Sequence, residues 1–157
     1  MQIPIRVDYG VRALIDLALH TEQSPIRAAE IAQRAAIPEP YLAQVLHTLN
    51  KNGLIRSVRG PQGGHALALA PSDIPLSKVM ACLGRIETMV GCLDDSKMCI
   101  HVPACAQREV WRTVDEAIFK ILDSTSIADL VDRSRVIKAN GGGARPKREP
   151  IATVHGA

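Results

Sequence analysis

The stretch Gly53-Leu-Ile-Arg-Ser-Val-Arg-Gly-Pro-Gln-Gly-Gly-His-Ala-Leu-Ala-Leu69 decides the fold. Two short runs, 54–58 and 65–69, read as strands flanking the tip Arg59-Gly-Pro-Gln-Gly-Gly64. Glycines there permit positive φ, and the lack of bulky side chains lets the backbone come close to a partner. Just upstream, residues 40–50 carry Leu42, Val45, Leu46 and Leu49 at i, i+3, i+4, i+7, the stripe of a helix buried on one side. Pro40 suits its first turn and Gly53 its C-terminal cap. Before it, Ile37-Pro-Glu-Pro40 interrupts a shorter helix over 28–35 that presents Ala28, Ile31, Ala32 and Ala35. Two helices joined by a short break, followed by a hairpin, make a winged helix-turn-helix.

If the 40–50 helix buries its leucines, its other face shows Tyr41, Gln44, His47, Thr48 and Lys51. In this motif the second helix enters the major groove, where Gln44 suits adenine while Tyr41 and Thr48 reach phosphates or base edges. The wing, with Arg59, Gly60, Gly63, Gly64 and His65, suits the adjacent minor groove. Lys51, Arg56 and Arg59 add sequence-independent attraction to phosphate, which predicts salt-sensitive binding. The competing reading is an ordinary solvated helix beside a hairpin used for protein contacts, since fold alone does not fix function.

Outward from this unit, Val11, Leu14, Ile15, Ala18 and Leu19 recur at helical spacing over 8–20, with Asp8 as N-cap and an Asp8–Arg12–Asp16 ladder at i+4. Downstream, Pro71-Ser-Asp-Ile-Pro75 links to a helix over 76–83 that carries Cys82, read as a small buried residue. The longest helix spans 104–122, with Val110, Trp111, Val114, Ile118, Ile121 and Leu122 along one side. Nothing of similar length in the chain can cover that stripe, so its copy in a second subunit is the simplest partner, giving a two-fold homodimer. A short helix at 127–133 follows, and from about residue 138 the chain reads as disordered and basic. The expected organisation is therefore 1–75 winged helix-turn-helix, 76–135 cysteine loop and dimerisation helix, and 136–157 tail. The fold class is mainly α with a small β-hairpin wing.

The 157 residues suffice for one domain with appendages, and a 46% apolar share with only 3% aromatics means an aliphatic core. A charge of +3 is mild. No signal peptide and no run of about 20 apolar residues appears, so a cytoplasmic protein with no membrane contact and reduced cysteines is expected. No nucleophile–base pair stands out, which speaks against an enzyme.

Between the two halves lies Cys92-Leu-Asp-Asp-Ser-Lys-Met-Cys99-Ile-His-Val-Pro-Ala-Cys105, three cysteines separated by six and five residues on a polar, aperiodic segment. Thiolates on such a loop can converge on a soft metal or an iron–sulfur cluster. The spacing is not the close pairing of common structural zinc sites. Three thiolates leave one ligand to find, and His101 is the nearest. Zinc completed by His101 or Asp94, and a metal-free thiol switch, are the alternatives.

Taken together, Asp8-Tyr9-x-x-Arg12-Ala13-Leu14, Tyr41-Leu-x-Gln44-x-Leu46-x-x-Leu49-x-x-x-Gly53-Leu54-Ile55 and Ser57-x-Arg59-Gly60-x-x-Gly63-Gly64-x-x-Leu67 resemble the IscR/NsrR/RirA family. Those are dimeric bacterial winged-helix regulators whose cysteine loop carries an iron–sulfur cluster, and the resemblance covers residues 1–133. It implies a transcriptional regulator, a repressor by this reading, on a partly palindromic double-stranded DNA operator. It makes Cys92, Cys99 and Cys105 the cluster ligands. Asp8 matches the aspartate that in the NsrR branch ligates a 4Fe–4S cluster from the other subunit, with His101 as rival. The IscR branch has a histidine three residues after the last cysteine, where this chain has Arg108, so a 4Fe–4S cluster is expected over 2Fe–2S. His65 replaces a common aromatic and Ala43 a frequent acid, so the operator sequence does not carry over. Nitric oxide, iron or cluster supply, and redox state are the candidate signals. A small iron–sulfur redox protein is the contrasting class.

Overall fold

The computed structural model describes residues 3–84, 88 and 90–141. In chain order these form α1 (Ile5–Leu19), α2 (Ala28–Ala35), α3 (Glu39–Lys51), β1 (Ile55–Val58), β2 (Gly64–Leu67), α4 (Leu76–Leu83), the single turn α5 (Gly91–Asp94), α6 (Ala106–Ser124) and α7 (Ile127–Ala139). The strands pair antiparallel with Ile55 opposite Leu67 and Val58 opposite Gly64. This is the expected winged arrangement.

The α3 stripe reads as expected: Leu42, Val45, Leu46 and Leu49 are all buried. They meet Ile31 and Ala32 of α2, Leu54 and Ile55 at the start of the hairpin, and Val79, Met80 and Leu83 of α4 in one core. Burying a Leu or Ile side chain contributes about 1.5–3 kcal/mol, so this cluster dominates the stability of the chain. The α1 stripe is rotated from the expected one. Leu14 is buried, but its companions are Val7, Ala13 and Leu17, while Val11, Ile15, Ala18 and Leu19 are only partly covered. The reason is that α1 is central, packed against α2, α3, α4 and α7. At Gly10 a Cβ would overlap Leu83 Cδ1, so glycine there lets α4 approach.

Helix ends differ from the expectation in instructive ways. Helix α1 begins at Ile5 behind Pro4, so Asp8 is not its N-cap but lies within its first turns. Asp8 Oδ2 accepts from Arg12 Nη2 at 2.6 Å, whereas Asp16 leaves the expected ladder. Asp16 is 6% exposed and accepts two hydrogen bonds from Arg34 of α2, Nε at 2.9 Å and Nη2 at 3.0 Å. A carboxylate at that depth needs a charged, well-aligned partner, and the same contact raises the Arg34 pKa above its ordinary value. Helix α2 ends before the prolines: Ala36 adopts φ 53°, Ile37 N donates to Ala32 O and Ala36 N to Gln33 O, the two bonds of a Schellman cap. Gly53, at φ 70°, closes α3 with Leu54 N donating to Leu49 O, as the sequence suggests.

Helix α7 runs to Ala139 rather than 133, so residues 136–139 of the expected tail are helical. Its start is fixed by a capping box in which Ser126 Oγ accepts from Asp129 N and Asp129 Oδ2 accepts from Ser126 N. The Ser126 hydrogen bonds hold the Asp129 carboxyl below its usual range. Asn140 and Gly141 follow the helix, and 142–157 of the expected tail lie outside the described residues.

Candidate nucleic-acid interface and cysteine loop

Helix α3 turns Tyr41, Gln44, His47 and Lys51 to solvent, with Thr48 half-covered beside them. The burial of the leucine stripe imposes this, since a helix with one apolar face has only the other to offer. Thr48 Oγ1 already donates to Gln44 O at 3.0 Å, which leaves its lone pairs, not its proton, for a partner. The face carries an amide, an imidazole, a phenol and an ammonium in one row, the donor and acceptor set that reads base edges and phosphates.

The wing stands beside it. Arg56 and Arg59 are exposed, and Gly60 has φ 115° with open space where a side chain would go. The other two glycines have a different role from the expected one. A Cβ at Gly63 would overlap Val58 O, and one at Gly64 would overlap Ile26 O. Those two close the approach of the chain to itself, and only Gly60 is left open to an outside partner. His65 is half-buried, with Nδ1 3.1 Å from Ser57 Oγ across the strand pair, and burial lowers its pKa.

Cys92 sits in α5, Cys99 follows the turn 96–98, and Cys105 immediately precedes α6. All three are half-buried free thiols, as is Cys82, whose pKa burial raises. Short turns rather than longer helices hold the loop: Asp95 Oδ1 accepts from Lys97 N at 2.9 Å, and Asp94 Oδ2 accepts from Thr88 Oγ1 at 2.8 Å. Arg108 Nε donates to Cys92 O at 3.2 Å, tying α5 to the first turn of α6. The donor set of three soft ligands on one short loop fits iron or an iron–sulfur cluster. Among the described residues, however, no three of His, Cys, Asp and Glu are gathered tightly enough to hold a metal ion. His101 and Asp8 do not complete such a group within one protomer.

Asp8 lies instead on the rim of an open apolar groove of about 490 Å³ lined by Ile5, Val7, Val11, Leu76, Met80 and Leu122. Its partner Arg12 stacks over the Tyr9 ring at 5.9 Å, and Tyr9 meets Tyr41 with ring centroids 6.2 Å apart. A line of contacts thus leads from Asp8 to the start of α3. On α6 no residue is buried: Val110 and Ile121 are exposed, and Trp111, Val114 and Ile118 half-covered. Exposed Phe119 joins them, a residue the periodicity reading left out. The Trp111 indole N–H is buried with no hydrogen-bond partner among the described residues.

Residues 3–133 match the Rrf2 family, described as an iron-dependent transcriptional regulator. The chain belongs to the Rrf2 family. It is 32% identical over 146 residues to protein rrf2 of Nitratidesulfovibrio vulgaris, covering 93% of this chain and 97% of that one. To the HTH-type transcriptional regulator IscR of Photorhabdus laumondii it is 32% identical over 148 residues, 94% of this chain and 90% of the relative. Among solved structures, T. potens IscR aligns with TM-score 0.69 at 32% identity, covering 85% of this chain and 88% of that one. CymR, the global cysteine regulator of B. subtilis, aligns with TM-score 0.72 at 31% identity, covering 85% and 98%. This Rrf2-family chain is a transcriptional regulator with a winged helix-turn-helix, not an enzyme. No helix among its described residues is long and apolar enough to cross a membrane.

Proposed function

We propose that this Rrf2-family regulator is a cytoplasmic homodimeric repressor that binds a partly palindromic duplex operator, with its affinity set by a 4Fe–4S cluster at Cys92, Cys99 and Cys105. The observation that carries the reading is the placement of three free thiols on one short loop between the winged unit and an uncovered long helix. The exposed Val110, Phe119 and Ile121 of α6 speak for a second subunit that covers them. Residues 1–75 then serve DNA, 76–139 the cluster and the dimer, and the chain beyond α7 the tail. Tyr41, Gln44, His47, Thr48 and Lys51 meet the major groove, with Arg56, Arg59, Gly60 and His65 at the backbone and minor groove.

An iron–sulfur cluster supplies a redox- and ligand-sensitive centre open to nitric oxide, oxygen or iron loss. The residues do the rest. A carboxylate is a hard, weak ligand beside thiolates, so Asp8 from the second subunit would be the most weakly held of the cluster's ligands. Released, Asp8 is free to pair with Arg12, the arrangement seen in the single chain. Arg12, Tyr9 and Tyr41 then link the state of Asp8 to the recognition helix through direct contact. Anaerobic purification with an absorbance spectrum and iron and sulfide counts, on wild type and Asp8→Ala, tests this. A brown protein whose cluster type or stability changes in the variant supports it, and a brown protein indifferent to Asp8 moves the fourth ligand to His101. A second reading, a metal-free thiol switch, is favoured by the ungathered thiols and by likeness to CymR, the global cysteine regulator of B. subtilis. An iron-free, colourless protein that still binds duplex with oxygen excluded would establish that reading instead.

A further inference from the structure

The wing is fixed to the body of the protein by residues outside the recognition surface. Ile26 N donates to His65 O at 2.9 Å and His65 N to Ile26 O at 2.7 Å, so β2 gains a second backbone partner beside β1, close to the crown of the wing. The contact of Gly64 with the Ile26 carbonyl closes that approach tightly enough to exclude a side chain. The next residue, Arg27, precedes α2 and is exposed, and its Nη2 donates to Pro61 O at 3.2 Å. Pro61 stands at the crown of the wing, two residues from Arg59. Within the crown, Gly63 N donates to Gly60 O at 2.9 Å, while Arg27 supplies a tie from outside the hairpin.

We propose that Arg27 is a positioning residue for duplex binding, whose guanidinium sets the height of the wing crown and so the place where Arg59 meets DNA. The inference rests on the reading that the wing contacts duplex. A two-stranded hairpin is marginal by itself, and ordering a loop on binding costs affinity. A cationic donor on a carbonyl is among the stronger hydrogen bonds, and here it holds the crown before DNA arrives. The alternative for an exposed arginine is a phosphate contact of its own, independent of the wing.

The two roles separate in a double-mutant cycle of Arg27→Ala and Arg59→Ala. Binding is followed by fluorescence anisotropy on a labelled duplex of about 30 base pairs, long enough for two half-sites, enriched from a random pool on the wild-type protein. The full chain is used in the cluster state in which wild type binds. Arg27→Ala weakens binding about three- to tenfold, the worth of one exposed hydrogen bond, with its melting temperature unchanged. Arg59→Ala weakens it more, and the double variant falls within about twofold of Arg59→Ala, with the same dependence on salt. Additive losses, with a further shallowing of the salt dependence in the double variant, make Arg27 a separate phosphate contact and overturn the tether. Full binding by Arg59→Ala removes the wing reading and the tether with it. Losses that add while wing-dependent binding persists remove only the tether. Should Arg27→Ala fold poorly, Arg27→Met, which keeps the aliphatic stem and has no donor, runs the same cycle.

Discussion

The winged unit and the cysteine region are built on opposite terms. From Val7 to Leu83 the chain supplies eighteen of the buried hydrophobic residues that form the core, and Ile127 and Val131 of α7 return to it. Between Leu83 and Ile127, no described residue is buried. The first region satisfies itself: its stripes face one another, its helices end in hydrogen-bonded caps, and its one buried carboxylate is paired with Arg34. The second exposes apolar side chains on α6, has an indole N–H without a partner among the described residues and holds three thiols on or beside short turns. On the proposed reading a second subunit and a cluster complete the second region, while the winged unit is already packed on itself.

The sharpest way to break this comparison is to injure each region once. Leu46→Ala removes a side chain 2% exposed in the centre of the core and is expected to cost about 2–5 kcal/mol in chemical unfolding. Ile121→Asp, at a site 64% exposed, is expected to leave the helical content and cooperative unfolding in place while sedimentation shifts towards monomer. If Ile121→Asp unfolds the chain as Leu46→Ala does, then α6 belongs to the core of a single protomer and the contrast fails.

What the sequence reveals follows the same division. The α3 stripe, the Gly53 cap and the hairpin are legible because local periodicity and local turn chemistry decide them. The face of α1 is not, because a helix touched from four sides buries more than one stripe, and Ala13 and Gly10 give no hydrophobic signal. Asp16 reads as a surface rung at i+4 from Arg12, but its partner Arg34 is eighteen residues away and reachable only through the packing of α2 on α1. The start of α7 is legible as Ser126-x-x-Asp129, a local capping-box signal. In the cysteine region the residue types are plain and the arrangement is not. Loop thiols have no period to read, and the group that would order them is not in the chain. Arg27 carried no signal at all, since nothing local distinguishes an arginine before a helix from one that reaches a distant carbonyl.

A smaller effect sharpens the account of the winged unit. Two helices end there in the same cap, one with alanine at φ 53° and one with glycine at φ 70°. The left-handed conformation costs an L-residue about 1–2 kcal/mol, and glycine gives back about 0.5–1 kcal/mol through the freedom of its unfolded chain. Ala36→Gly is therefore expected to raise stability by about 0.5 kcal/mol, and Gly53→Ala to lower it by about the same. No atom within 4 Å obstructs a Cβ at Gly53, so the loss there measures backbone strain without a clash. Equal and opposite shifts in urea midpoint would tie both helix ends to local backbone preference. A stabilising Gly53→Ala would remove strain as the reason for either cap.

The smallest effect lies at the border between the settled unit and its exposed edge, at His65. Burial lowers its pKa in the fold, while the unfolded chain keeps the ordinary value of about 6.5. Above that value both states are neutral and the histidine has no effect on stability. As pH falls through it, the unfolded state takes the proton first, so it binds more protons than the fold and stability declines with falling pH. The decline ends once the folded pKa is passed and both states are charged. The neutral ring also shares a proton with Ser57 Oγ through Nδ1, a contact the doubly protonated ring could keep only as donor. Unfolding free energies of wild type minus His65→Gln, measured across this window, isolate the residue from the other histidines, whose titration is common to both proteins. The difference should fall on the acid side. A difference that rises there would mean that the folded wing favours the imidazolium, as an acidic neighbour rather than burial would make it do.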